Sequence, residues 1–245
     1  MEKRGKFIVF EGLDGSGSST QCELLKNYLA MRGIKSIVTK EPTNNMVGGL
    51  IRGVLTHDWS ISPRGLQLLF SADRAHHLEK EIIPALKNGT WVICDRYLFS
   101  TIAFGSLECD YQWLKELNKF FFQPDVTFLL QVPPKECIRR ISKSRSRFEL
   151  FEEEGKLNKV MQNYLTLSKE YQNFQLINGN QLKENTSQEI VKVVDQLIEE
   201  YLQLQKRKRY FKSFFKIQGQ EQQLEKESQN IKSSDSTASR SQKGG

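Results

Sequence analysis

Five short apolar runs, bounded by turn residues and separated by segments of helical period, constrain this chain more than any other feature. They are KFIVFE (6–11), KSIVT (35–39), TWVICD (90–95), VTFLLQV (126–132) and FQLIN (174–178). Each is rich in β-branched and aromatic residues and nearly continuous in apolar character, the pattern of strands covered on both faces of a parallel sheet. Leu24, Leu25, Tyr28 and Leu29 mark an amphipathic helix after the first run. A longer helical region spans about Pro63 to Lys87, and others fall near 111–121, 135–145 and 156–172. Thr186 with Glu189 three residues on reads as a capping box opening a last helix, whose stripe runs Ile190, Val194, Leu197, Ile198 and Tyr201. This alternation predicts an α/β fold: a doubly wound, five-stranded parallel sheet flanked by helices, P-loop NTPase-like, with a polar C-terminal tail.

The domain boundary follows from charge. Of the formal +7 on 245 residues, the segment from Gln203 to Gly245 holds ten Lys/Arg and four Asp/Glu, so it carries +6. The basic balance therefore belongs to the tail, and 1–202 is nearly neutral. We read 1–202 as one domain and 203–245 as a basic, polar tail predicted to be largely disordered. Within it, KRKRYFKSFFKI (206–217) interleaves cations with aromatics, which makes an anionic surface a candidate contact. For the domain itself, no nucleic acid or membrane is expected. Four dispersed cysteines without a C-x-x-C pair, three histidines and no spanning apolar stretch argue against a disulfide scaffold, a zinc site or a membrane protein. The expectation is a soluble, cytoplasmic protein.

The chemistry begins at GLDGSGSST (12–20), between the first run and the first helix. Gly12 and Gly17 have the spacing of Gly-x-x-x-x-Gly-Lys-Ser/Thr, in which glycines turn backbone N–H groups toward phosphate oxygens and the helix N-terminus adds its dipole. Ser19 stands where a metal-binding hydroxyl belongs, but Ser18 stands where the lysine should be. The predicted ATP loop comprises Gly12, Leu13, Asp14, Gly15, Ser16, Gly17, Ser18, Ser19 and Thr20. Past the third run, Asp95 can hold Mg²⁺, directly or through water, and Arg96 can grip a phosphate. A strand-end ion pair would explain these two equally well if the glycine loop were absent.

Five blocks, in order, resemble the thymidylate kinases: FEGLDGSG, ISPRGLQLLFSADRAHH, DRYLFSTIAF, KFFFQPDVTFLLQVPP and SRSRFE, within about residues 5 to 202. The resemblance implies phosphorylation of dTMP to dTDP with Mg²⁺ and ATP, and a homodimer. It implies that Phe70 stacks on the thymine ring and Arg74 hydrogen-bonds it, although core packing would account for Phe70 on periodicity alone. It gives Arg96 the dTMP phosphate and Arg52 a place in the monophosphate pocket. Asp14 is placed at the deoxyribose 3′-hydroxyl near the metal. Thr101 and Phe104 fall on the base and sugar side, and Glu41 with Pro42 borders the pocket. RISKSRSRFE (140–149) resembles the mobile lid, with Arg145 and Arg147 as its catalytic cations ahead of Arg140 and Lys143. A basic helix end that merely faces solvent is the alternative reading of that segment.

This sequence also departs from the family's pattern. Gly15 stands where some members carry an arginine, and Gly105 where bacterial members often carry a base-contacting glutamine. Of the cations that might replace the lysine, Lys3, Arg4 and Lys6 lie at the far edge of the sheet, and Lys40 is expected nearer the monophosphate. The lid arginines are the expected substitutes. Two alternatives stay open: a nucleotide-binding protein of little turnover, suggested by Ser18 and the tail, and a kinase for another nucleoside monophosphate, suggested by Gly105.

Overall fold

The computed structural model describes residues 4–144, 153–203 and 206. They fall in two compact units, divided between Val193 and Val194. The first unit is a five-stranded sheet: β1 Phe7–Gly12, β2 Ser36–Lys40, β3 Trp91–Asp95, β4 Val126–Gln131 and β5 Phe174–Asn178. All pairings are parallel, in the order β2-β3-β1-β4-β5. The predicted strands are present, with ends moved by at most a residue. β1 is buried throughout, and β3 and β4 at all but their last residue, as their nearly continuous apolar runs require. β2 and β5 are the sheet edges and are only partly covered, with Leu176 of β5 exposed.

Helices flank this sheet: α1 Ser18–Met31, α2 Met46–Leu55, α3 Pro63–His77, α4 Ile83–Lys87, α5 Leu98–Gly105, α6 Tyr111–Asn118, α7 Pro134–Ser144 and α8 Glu154–Glu170. α3 starts on a Ser62 cap, whose side chain accepts from Gly65 N–H, with Pro63 in the first turn. A π-helical stretch, Leu78–Ile82, joins α3 to α4. It lies just ahead of Pro84, which has no N–H to keep an α-helical ladder regular.

Two helices have no counterpart in the sequence reading. α2 (MVGGLIRGVL) carries three glycines, poor helix formers, yet at Gly48 a Cβ would lie 1.9 Å from Thr43 O, so only glycine fits. α5 (LFSTIAFG) has all but one of its residues buried, so no polar stripe reveals its period. The last helix of the first unit begins at 183, not at Thr186. Thr186 Oγ1 donates to Leu182 O and Asn178 O, inside the first turn, and Glu189 accepts from Gln181 Nε2 instead of closing a capping box. In the second unit, 194–203 are helical; the remainder of the basic tail lies outside the described residues, apart from residue 206.

From β1 the chain crosses to β2 on one side, and from β3 it returns past β1 to β4 on the other. The carboxyl ends of β1 and β3 therefore border the point where strand order reverses, the usual ligand crevice of such sheets.

Candidate active site

The glycine loop follows β1 and opens α1. Gly12, Gly15 and Gly17 take φ of 155°, 79° and 94°, backbone that side chains avoid. A Cβ at Gly15 would also lie 2.7 Å from Cys137 O. A side chain such as arginine is therefore sterically shut out of this position. Ser18 is the first residue of α1, and Ser19 Oγ donates to Asp95 Oδ2 across to the end of β3. Asp95 Oδ1 is buried without a hydrogen-bond partner among the described residues. A hydroxyl and a spare carboxylate oxygen are hard donors that fit Mg²⁺, which commonly takes one or two protein oxygens together with substrate phosphates.

Arg96 leaves β3 in a left-handed conformation, φ 70°. Its Nη2 pairs with Asp14 Oδ1 at 2.8 Å, and its Nη1 donates to Gly12 O at 3.0 Å and Ser100 Oγ at 3.3 Å. The guanidinium also sits 5.2 Å from the Phe104 ring centre. Burial opposes its charge, but Asp14, Tyr164, Asp95 and Glu11 around it raise its pKa, so it stays cationic.

Beneath it lies a residue that the sequence reading passed over. Glu11 is fully buried in β1; its Oε1 accepts from Tyr97 N–H (3.0 Å) and Ser100 N–H (3.2 Å), capping the start of α5. Its Oε2 accepts from the Ser100 hydroxyl and from Tyr164 OH (2.8 Å). Burial pushes the Glu11 carboxyl up to about 7, against the opposing pull of Ser100, Arg96, Tyr164 and Tyr97. A charged residue within an otherwise apolar strand run was the available signal.

Two cavities meet here. The mouth of the glycine loop is lined by 13–15, 17–20, Asp95, Arg96, Arg140 and Ile141. A deeper cleft is lined by Asp14, Lys40, Glu41, Pro42, Gln67, Phe70, Arg74, Asp95, Arg96, Thr101 and Phe104, among others. Asp14, Asp95 and Arg96 stand in both walls.

Arg74, 1% exposed, anchors the cleft. Its Nη1 donates to Asn118 Oδ1 (2.6 Å) and its Nη2 to Thr101 Oγ1 (2.9 Å), with Glu41 Oε2 at 2.8 Å from Nη2. Glu41, joined to Pro42 by a cis peptide, also meets His77 Nδ1 at 3.1 Å. Phe70 is partly buried, packs on the core and also lines the cleft.

The remaining candidates divide. Arg52 is not among the residues lining either cavity; its Nη1 donates to Thr43 O and, at 3.4 Å, to O of the cleft-lining Pro42. Lys40 lines the deeper cleft and not the loop's mouth. Arg4 and Lys6 pair with Asp125 at the other edge of the sheet, and Lys3 lies outside the described residues. Arg145 and Arg147 also lie outside the described residues, and Lys143 is exposed near the end of α7. Arg140, ranked below them in the sequence reading, reaches the loop: its Nη1 donates to Gly15 O and Ser16 O, each at 3.4 Å, and its Nη2 to Gly179 O at 3.2 Å. Glu136 accepts from its Nε at 2.8 Å.

A parallel sheet with a glycine loop at its switch point, backed by an Asp–Arg pair on the adjacent strand, defines a nucleotide-binding α/β protein of P-loop type. The sequence matches the thymidylate kinase family profile over residues 10–190. It is 40% identical over 198 residues to a probable thymidylate kinase of Pyrococcus horikoshii, covering 78% of this chain and 96% of that protein. A probable thymidylate kinase of Thermococcus gammatolerans is 41% identical over 204 residues (79% and 98%), and a thymidylate kinase of Desulfotalea psychrophila 39% over 196 residues (79% and 96%). The chain belongs to the thymidylate kinase family.

Proposed function

We propose that this chain is a dTMP kinase, transferring the γ-phosphoryl group of ATP to dTMP to give dTDP and ADP. The observation that carries the reading is the wall of Asp14, Asp95 and Arg96 common to the loop's mouth and the deeper cleft. Phosphoryl transfer requires donor and acceptor phosphates to approach in line, and two cavities meeting at one arginine provide that approach. ATP phosphates occupy the loop of 12–20. In the cleft, Phe70 takes the face of the base, Arg74 and Thr101 its edge, and Phe104 the sugar side, with Glu41 holding Arg74 in place. Asp14 takes the 3′-hydroxyl, Arg96 the monophosphate, and Arg52 supports the cleft-lining Pro42. An oxygen of the dTMP phosphate attacks the γ-phosphorus as the bond to the β,γ-bridging oxygen breaks, and the electron pair leaves on ADP.

Ser19 and Asp95 would hold Mg²⁺, which when bound neutralises phosphate charge. With Ser18 in place of lysine, backbone N–H groups and the α1 N-terminus still cradle the phosphates. The missing cation is supplied by arginines: Arg140 lines the loop's mouth, and Arg145 and Arg147, outside the described residues, are assigned the catalytic role on the family resemblance. In solution the protein is a cytoplasmic homodimer. This is supported by four free cysteines and by exposed Met46 and Leu50 of α2 beside exposed Leu68 of α3.

Ser18 itself favours a second reading, a nucleotide-binding protein with little turnover. A coupled kinase assay across dTMP, dUMP, UMP, dCMP and AMP tests both. Turnover of dTMP with the highest kcat/KM of the panel is expected. Binding of ATP and dTMP without turnover would support the second reading, and preference for another monophosphate would reassign the substrate.

A further inference from the structure

Four residues lining the cleft hold a buried polar atom without a hydrogen-bond partner among the described residues: Glu41 Oε2, which is ion-paired with Arg74 Nη2, Asp95 Oδ1 beside the glycine loop, and, facing α5, Arg74 Nε, a donor, and Gln67 Oε1, an acceptor. Buried polar groups are normally satisfied by protein, water or ligand, so a donor and an acceptor left open in a ligand cleft are available to a ligand. Gln67 is 3% exposed and lines the cleft from α3, the helix that also carries Phe70 and Arg74. Both side chains abut α5. Arg74 donates to Thr101, while a Cβ placed at Gly105 would lie 3.0 Å from Gln67 Cδ and Oε1. Thr101 and Gly105 are one turn apart, about 6 Å along the helix, so the open donor and the open acceptor flank a short stretch of the cleft. The bare backbone of Gly105 makes room for the Gln67 amide.

We propose that Gln67 is the specificity-determining residue of this cleft: its Oε1 accepts the N3–H of a pyrimidine-2,4-dione whose C4 carbonyl takes the Arg74 Nε–H. Cytosine presents the opposite pair, an amino group at C4 and a bare N3, so it sets donor against donor and acceptor against acceptor. A site built to hydrogen-bond a ligand rejects the analogue that leaves its buried groups unpaired. The assignment rests on the dTMP kinase reading and deepens it: the base-reading amide comes from α3 and packs against the bare backbone of Gly105 on α5.

The test compares dTMP and dCMP, by steady-state kinetics and by titration calorimetry, on wild type, Gln67→Met and the double variant Gln67→Ala/Gly105→Gln. Gln67→Met keeps the length and removes the acceptor. It should lower kcat/KM and affinity for dTMP by about 10- to 100-fold, with dCMP use unchanged or raised and the KM for ATP unchanged. The double variant, whose new amide enters the space vacated at 67, should recover dTMP preference. An unmoved dTMP/dCMP ratio in Gln67→Met, or equal losses on both nucleotides, would overturn the assignment while leaving the kinase reading intact. Wild type that neither binds nor phosphorylates dTMP would overturn both.

Discussion

Arg74 and Glu41 illustrate how single residues are held for function. Arg74 is buried against Glu41, Asn118 and Thr101, so its loss strips the guanidinium from a buried carboxylate and leaves Glu41 with His77 alone among the described residues. Arg74→Ala should destabilise the fold by about 3–5 kcal/mol, read from the denaturant midpoint, and impair dTMP use far more than the KM for ATP. Equal loss for both substrates would misplace the site. Glu11 gives a pH signature. Its carboxyl, about 7 when folded against 4.5 for the unperturbed group, keeps its proton over a range where the unfolded chain has lost it. Stability linked to Glu11 is therefore full below about pH 4.5 and falls as pH rises to about 7, by about 3 kcal/mol in all. Glu11→Gln, with Tyr164, Ser100 and the Tyr97 N–H still facing it, should flatten that slope in chemical denaturation between pH 4.5 and 7. An unchanged slope would assign the titration elsewhere. The role of Glu11 was not legible beforehand, because its partners lie at the start of α5 and on α8 and hydrogen-bonding over such separations leaves no local pattern.

At the scale of elements, α3 does the most. It presents Gln67, Phe70 and Arg74 to the cleft, and its start depends on Ser62. Ser62→Ala should cost about 1 kcal/mol in denaturant unfolding, and a change near zero would show that Pro63 alone sets the start. The Phe70–Arg74 pairing was legible from four-residue spacing, and the strands from their apolar runs. α2 and α5 were not: glycines at a close backbone approach conceal one, and burial on all sides conceals the other. Gln67 was missed for a related reason, since it lies among apolar neighbours and its task is visible only where α3 meets α5.

For the whole molecule, strand alternation specified a parallel five-stranded sheet, and the order β2-β3-β1-β4-β5 then brings the β1 and β3 loops together. Side-chain reach across that crevice, such as Arg140 to Gly15 and Ser16, depends on packing of α7 that no sequence spacing encodes. If 1–202 is the catalytic domain, a chain lacking 219–245 should keep wild-type dTMP turnover and solubility; a collapse of either would move the boundary. The central claim is that a kinase works here without its loop lysine, and Ser18→Lys tests it most directly. Steady-state dTMP turnover should be substantial in wild type and change little, or fall, in the variant, because the site is arranged around arginine cations. A near-zero wild-type rate raised about 100-fold or more by Ser18→Lys, as restoring a preorganised donor would do, would contradict it.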